Sequence, residues 1–309
     1  MLCSVGARTL VGLVLASLVT AACGSDNDSA DPATKTVVVG SAPFSESVIV
    51  AGMYAGALES EGYRVTLRKG LGQREIYLPA LQQGGQNNGI DLVPEYVGTL
   101  LEFVNRNAGE ASGDVEASAT KLRGHLEGMG LTALKPSPAA DQNAFAVTRA
   151  TADRLRLRRL SDLTPVAANM TLGAGPECPT RPFCQPGLEK TYGLRFKAFR
   201  PLDSGGPRTI EALKAGDIDI GLVFTSSAAV ADPGLVVLED DKKLQTADNL
   251  IPAIRADVLD DNIREVLDKV SAALTTADLI QLNKRADVDK QDPEALAREW
   301  LQQRGFAKK

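Results

Sequence analysis

Groups that usually carry acid–base or nucleophilic chemistry are scarce here: one histidine, His125, and four cysteines in 309 residues. A Ser-His-Asp or Cys-His site needs an imidazole, and zinc sites draw largely on His and Cys, so both chemistries are nearly without material. Acidic doublets at Asp240-Asp241 and Asp260-Asp261 could hold a metal, but they run beside Lys242, Lys243 and Arg264, the pattern of a solvated face. Gly173-Ala174-Gly175 begins like a dinucleotide loop, yet the third glycine position is Cys178, and no phosphate-binding Gly-x-x-x-x-Gly-Lys-Ser/Thr occurs. No catalytic residue, cofactor or metal is expected, and the protein is not expected to be an enzyme. With 34 basic and 39 acidic residues and a net charge of -5, it has no general basic field for nucleic acid.

The cysteines sort by position. Arg8 and the amino terminus precede an apolar run over 10–19, followed by Thr20, Ala21, Ala22 and Cys23. At about ten residues the run is short of the roughly 20 that a transmembrane helix needs, and the order is that of a signal peptide over 1–22. Small residues ending on Cys23 resemble the lipobox of bacterial lipoproteins, in which the cysteine is diacylated, although Thr20 stands where leucine is usual. Ordinary cleavage beside an incidental Cys23 is the alternative. The polar stretch that follows reads as a flexible tether over 23–35. Cys178 and Cys184 flank a proline-rich loop; in an exported protein such a pair is most simply a disulfide, with two independent thiols as the other reading.

The elements that must position any site follow from periodicity. With 44% hydrophobic residues, the chain is long enough for two domain-sized cores. Strands are expected at 37–39 and 64–67, helices at 48–59 and 75–83, and a short apolar run at 90–93, with Pro94 and Glu95 opening the next helix. A second set follows: strands at 144–148, 171–174, 196–199 and 218–224, with helices near 151–155, 187–191 and 209–215. After 251–255 come helices at 261–275, 276–285 and 293–304. Strands alternating with helices argue for a parallel α/β architecture. Residues 80–84 with Ile90-Asp91 are echoed by residues 212–216 with Ile218-Asp219, as if two lobes were similarly built.

Four segments carry a family likeness: Val38-Val39-Gly40-Ser41 with Phe44-Ser45-Glu46, the stretch from Asp91 to Thr99, Gly187-Leu188-Glu189 with Tyr192-Gly193-Leu194, and Leu238-Glu239-Asp240-Asp241-Lys242. Together they resemble the substrate-binding lipoproteins of ABC importers for glycine betaine, choline and related osmoprotectants, over residues 36–306. The resemblance implies a two-lobed α/β protein of the type II periplasmic-binding-protein fold, closing on ligand in a cleft between lobes. Lobe 1 would comprise 36–142 plus 250–309, and lobe 2 143–249.

Family members hold quaternary ammonium in a box of tyrosines, whose faces attract a cation that cannot donate hydrogen bonds. Carried over, Tyr96 and Thr99 match the family's Tyr-Thr-Gly-Thr segment, Asn143 an asparagine at the lobe crossing, and Phe145 a box tyrosine. Phe224 with Thr225 matches a further aromatic, and Asp248 takes the final tyrosine position. Ser41, Phe44, Glu46 and Ser47 complete the expected ligand-binding set, with Ser47 in place of glutamine and Val93 in place of a tyrosine. Phe145 and Phe224 each also suit a core, and Asp248 a helix cap. The departures admit a more polar or hydroxyl-rich ligand, and an extracytoplasmic enzyme or sensor is the reading from another class. The implied partners are a small-molecule solute, permease subunits and, through a lipid anchor, the outer face of the cytoplasmic membrane; a monomer is expected.

Overall fold

The structure, a computed structural model, describes residues 35–306. The signal peptide, the acylation site Cys23 and nearly all of the tether lie outside the described residues. The β-branched run Thr-Val-Val-Val forms β1 (Thr36–Gly40), where side chains stiff at χ1 suit extended backbone. It pairs in parallel with β2 (Arg64–Arg68) and β3 (Leu92–Tyr96). Between them lie α1 (Ser45–Ser60) and α2 (Arg74–Gln83).

Pro94 and Glu95 belong to β3 rather than to the following helix, α3, which starts at Val97 and runs to Val104. An antiparallel neighbour, β10 (Leu250–Arg255), accounts for this: its Pro252 lies opposite Pro94, so the two residues lacking an amide hydrogen share one rung of the ladder. The hydrophobic pattern did not point to α4 (Val115–Glu127) or to β4 (Leu131–Ala133), which closes the sheet in the order β2-β1-β3-β10-β4.

The second sheet has the order β7-β6-β8-β5-β9, with β5 (Asn143–Thr148), β6 (Thr171–Ala174), β7 (Ala198–Pro201), β8 (Ile220–Phe224) and β9 (Leu235–Leu238). Helices α5 (Arg149–Leu155), α6 (Gln185–Tyr192) and α7 (Pro207–Ala215) connect them. Strand β7 starts two residues later than the pattern suggested, and β9 was not expected. The sheets are mixed rather than parallel. In each, three parallel strands meet a fourth that is antiparallel to both its neighbours: β10 in the first sheet, β5 in the second. Both of these strands begin where the chain has just passed from one sheet to the other.

The two sheets are therefore built alike, and the sequence echo has a physical basis. Ile90 presses on Gly40 and Ile218 on Gly173; a Cβ at either glycine would lie 2.4 Å from the isoleucine Cδ1. Asp91 Oδ2 accepts from Val38 N at 2.9 Å, and Asp219 Oδ2 from Thr171 N at 2.8 Å. Counting onward from these anchors, Tyr96 corresponds to Phe224 and Phe44 to Glu177. Helices α8 (Asp261–Ala273), α9 (Thr276–Asp287) and α10 (Pro293–Arg304) pack on α1, burying Leu267, Leu279, Leu296 and Trp300 in the core of the first sheet.

Candidate functional site

A cleft opens where the carboxyl ends of the β1, β3, β6 and β8 strands meet. Tyr96 ends β3 and Phe224 ends β8, so each ring stands at a strand tip, and Phe44 reaches between them from the turn before α1. Its ring centroid lies 6.5 Å from Tyr96 and 6.4 Å from Phe224, both stacked. One apolar wall thus joins residues of both sheets.

Acids stand beside that wall. Glu46, in the first turn of α1, is buried; it accepts from Tyr96 Oη and Ser226 Oγ at 2.6 Å each and from Asn283 Nδ2 at 2.6 Å. Because Ser226 follows β8, this carboxylate ties the two halves together. Asp141 accepts from Ser226 N at 3.1 Å where the chain crosses. Asp248, at the return crossing, accepts through Oδ1 from Gly98 N at 2.9 Å and Thr99 N at 3.0 Å. It thereby caps α3, whose own N-cap, Tyr96, offers no side-chain acceptor.

Burial raises the carboxyl pKa of Glu46 against the pull of its three donors, and raises Asp141 well above its ordinary value with Glu46's charge adding to the effect. Asp248 is pushed up to about 7 by burial, offset by the N–H of Thr99 and the charge of Arg74. A cation entering here would favour the ionised form of each of these carboxyls.

Two guanidiniums close the opposite side, and both are engaged. Arg74, first residue of α2, is bidentate to Glu95 at 2.7 and 2.8 Å and reaches Thr99 Oγ1 at 3.1 Å. Tyr77 Oη donates to the same Glu95 at 2.7 Å. Burial works against the Arg74 charge, but Glu95 outweighs it and the guanidinium pKa is raised. Arg181 comes from the other half; its Nη2 lies 2.9 Å from Glu75, and its guanidinium sits 5.0 Å over the Phe103 ring. The loop that carries Arg181 is closed by a Cys178–Cys184 disulfide, and Cys178, Phe183 and Cys184 line the cleft.

Of the residues singled out in the sequence, Phe44, Tyr96, Thr99, Asn143, Phe224 and Asp248 line this chamber. Glu46 lies behind Tyr96. Phe145 does not reach it: it shares a sheet face with Asn143 but sits one rung deeper, buried in the core of the second sheet with Leu172 and Leu188. Ser41 and Ser47 are buried and bind backbone, Ser41 Oγ accepting from Gly70 N and Ser47 Oγ from Ala42 N. Thr225 Oγ1 accepts from Gln142 N at the crossing. Sequence reasoning missed Arg74, Tyr77, Phe103, Asp141, Glu177 and Arg181. Asp141, Glu177 and Arg181 carried a signal, the first at the crossing and the other two at the cysteine pair.

The model of the substrate binding domain of ABC-type glycine betaine transport systems matches residues 35–303. The chain is 30% identical over 282 residues to a glycine-betaine-binding protein of Pseudomonas aeruginosa, covering 87% of this chain and 88% of that one. It is 26% identical to the glycine betaine-binding protein YehZ of Escherichia coli, covering 89% and 93%. A solved structure described as a glycine betaine/carnitine/choline ABC transporter superposes with a TM-score of 0.68 at 24% identity, covering 87% of this chain and 99% of that one, a likeness of fold. With the aromatic and acidic chamber between two like-built sheets, these matches place the chain in the family of substrate-binding domains of ABC-type glycine betaine transport systems.

Proposed function

We propose that this chain captures a quaternary ammonium solute between Phe44, Tyr96 and Phe224 and presents it to the permease of an ABC importer. The observation that carries the reading is the continuous aromatic wall drawn from both sheets with Asp141 and Asp248 beside it. Methylated nitrogen offers no N–H, so ring faces and nearby anions suit it better than hydrogen-bond acceptors alone. Glycine betaine and choline, named for the relatives, are the first solutes to test. Lobes divided as 36–142 plus 250–309 and 143–249 would close on the solute.

The protein would act outside the cytoplasm, as a monomer held to the outer face of the membrane through acylated Cys23. A thermal-shift series with tetramethylammonium, choline, glycine betaine and uncharged sugars tests the ligand class, since a tight ligand raises stability by RT ln(1 + [L]/Kd). Quaternary ammonium compounds are expected to raise Tm and sugars to leave it unchanged; stabilisation by a sugar alone would refute the reading. Cys23→Ala is expected to release mature protein from the membrane fraction, and unchanged retention would remove the anchor from the proposal.

A further inference from the structure

Among the acids of the chamber, Glu177 has a buried oxygen that nothing satisfies. Its Oε1 accepts from Ser204 Oγ at 2.6 Å, while Oε2 is buried with no hydrogen-bond partner among the described residues. Leaving a buried acceptor so is costly, and a ligand donor would relieve the cost.

The likeness of the two sheets explains the placement. With Gly173 matched to Gly40, Pro176 falls on Pro43 and Glu177 on Phe44, the ring between Tyr96 and Phe224. The position that one half fills with an apolar surface is filled by a carboxylate in the other. Gly175 lets the loop pass close: a Cβ there would lie 2.3 Å from Glu177 Oε1 and 2.4 Å from Ser204 Oγ. The next residue, Cys178, is fixed by its disulfide.

Positive charge in the chamber is already committed, Arg74 to Glu95 and Arg181 to Glu75. A ligand carboxylate would face Glu177, Asp141 and Asp248, and would have to displace Glu95 or Glu75 from a guanidinium to be received. Resting on the quaternary ammonium reading above, we infer that Glu177 is the selectivity residue of this chamber. Its Oε2 accepts a hydrogen bond from an O–H or N–H at the ligand end remote from the methylated nitrogen. The site therefore takes hydroxylated or amine-bearing cations in preference to zwitterions that end in a carboxylate.

Calorimetry on the mature protein with tetramethylammonium, choline and glycine betaine tests this. Choline is expected to bind at least about tenfold more tightly than glycine betaine, the scale of one hydrogen bond to a charged group. Glu177→Gln keeps the size of the side chain and is expected to cut that ratio about tenfold, with a smaller fall in tetramethylammonium affinity from the lost charge. Gly175→Ala, which displaces the carboxylate without removing its charge, is expected to lower the same ratio. An unchanged ratio in both variants, with tetramethylammonium still bound, overturns the role of Glu177 alone. Failure of the parent to bind any of the three compounds overturns the quaternary ammonium reading and this inference with it.

Discussion

Asp248 does two things with one carboxylate: it caps α3 through Oδ1 and lines the chamber. Its pKa of about 7 in the folded protein compares with about 4 in an unfolded chain. Between those values the folded state keeps a proton that the unfolded state has lost. Asp248 thus stabilises the unliganded protein at low pH, and that contribution is lost as pH rises through about 7. A bound cation favours the ionised form, so the affinity for tetramethylammonium is expected to rise about tenfold from pH 6 to pH 8, the ratio of ionised fractions for a group titrating near 7. Binding near neutrality should release a proton, which calorimetry in buffers of different ionisation enthalpy reads directly. Asp248→Asn can still accept from Gly98 and Thr99 and is expected to abolish both effects. Full pH dependence in that variant would assign the titration to Asp141 or Glu46. Six residues named in the sequence line the chamber, and two of them, Tyr96 and Phe224, stand at strand ends. Phe145 was misplaced because alternation along a strand reports the face of a sheet but not the depth along it.

The disulfide-closed loop, residues 178–184, is the element that turns the second sheet into a wall of the chamber. It brings Arg181 to Glu75 and Phe103 and carries Phe183, whose carbonyl accepts from Asn143 Nδ2 at 3.1 Å. Replacing both Cys178 and Cys184 by serine is expected to cost about 2 kcal/mol, the entropy of closing so short a loop, measured by urea unfolding. It is also expected to weaken solute binding, because the wall is no longer held in place; loss of stability with unchanged affinity would make the bond structural only. The helices and strands with strong periodicity were legible to within a few residues. Pro94 was read as a helix start because proline suits that position, and only the facing Pro252, 158 residues away in sequence, shows why a strand tolerates it. The loop's part in the site was not legible, since cysteine spacing predicts a bond and says nothing about what the bond faces.

At the scale of the molecule, contacts from the two sides meet across the cleft at Arg181–Glu75 and at Glu46–Ser226. A saturating quaternary ammonium ligand is expected to favour this arrangement and reduce the radius of gyration in small-angle scattering, with Glu75→Gln blunting the change. Equal radii with and without ligand would argue against closure. The interleaving of the two sheets also sets an order of assembly. All five strands of the second sheet lie between residues 143 and 238, whereas β10, between β3 and β4 in the first, ends at residue 255, and α8 to α10 follow it. During synthesis the amino-terminal sheet remains in two pieces until residue 255 of 309 has emerged, so the half made first is completed last. For a chain exported as proposed, a leading half that waits for a late strand is kept from locking into its finished sheet before passage.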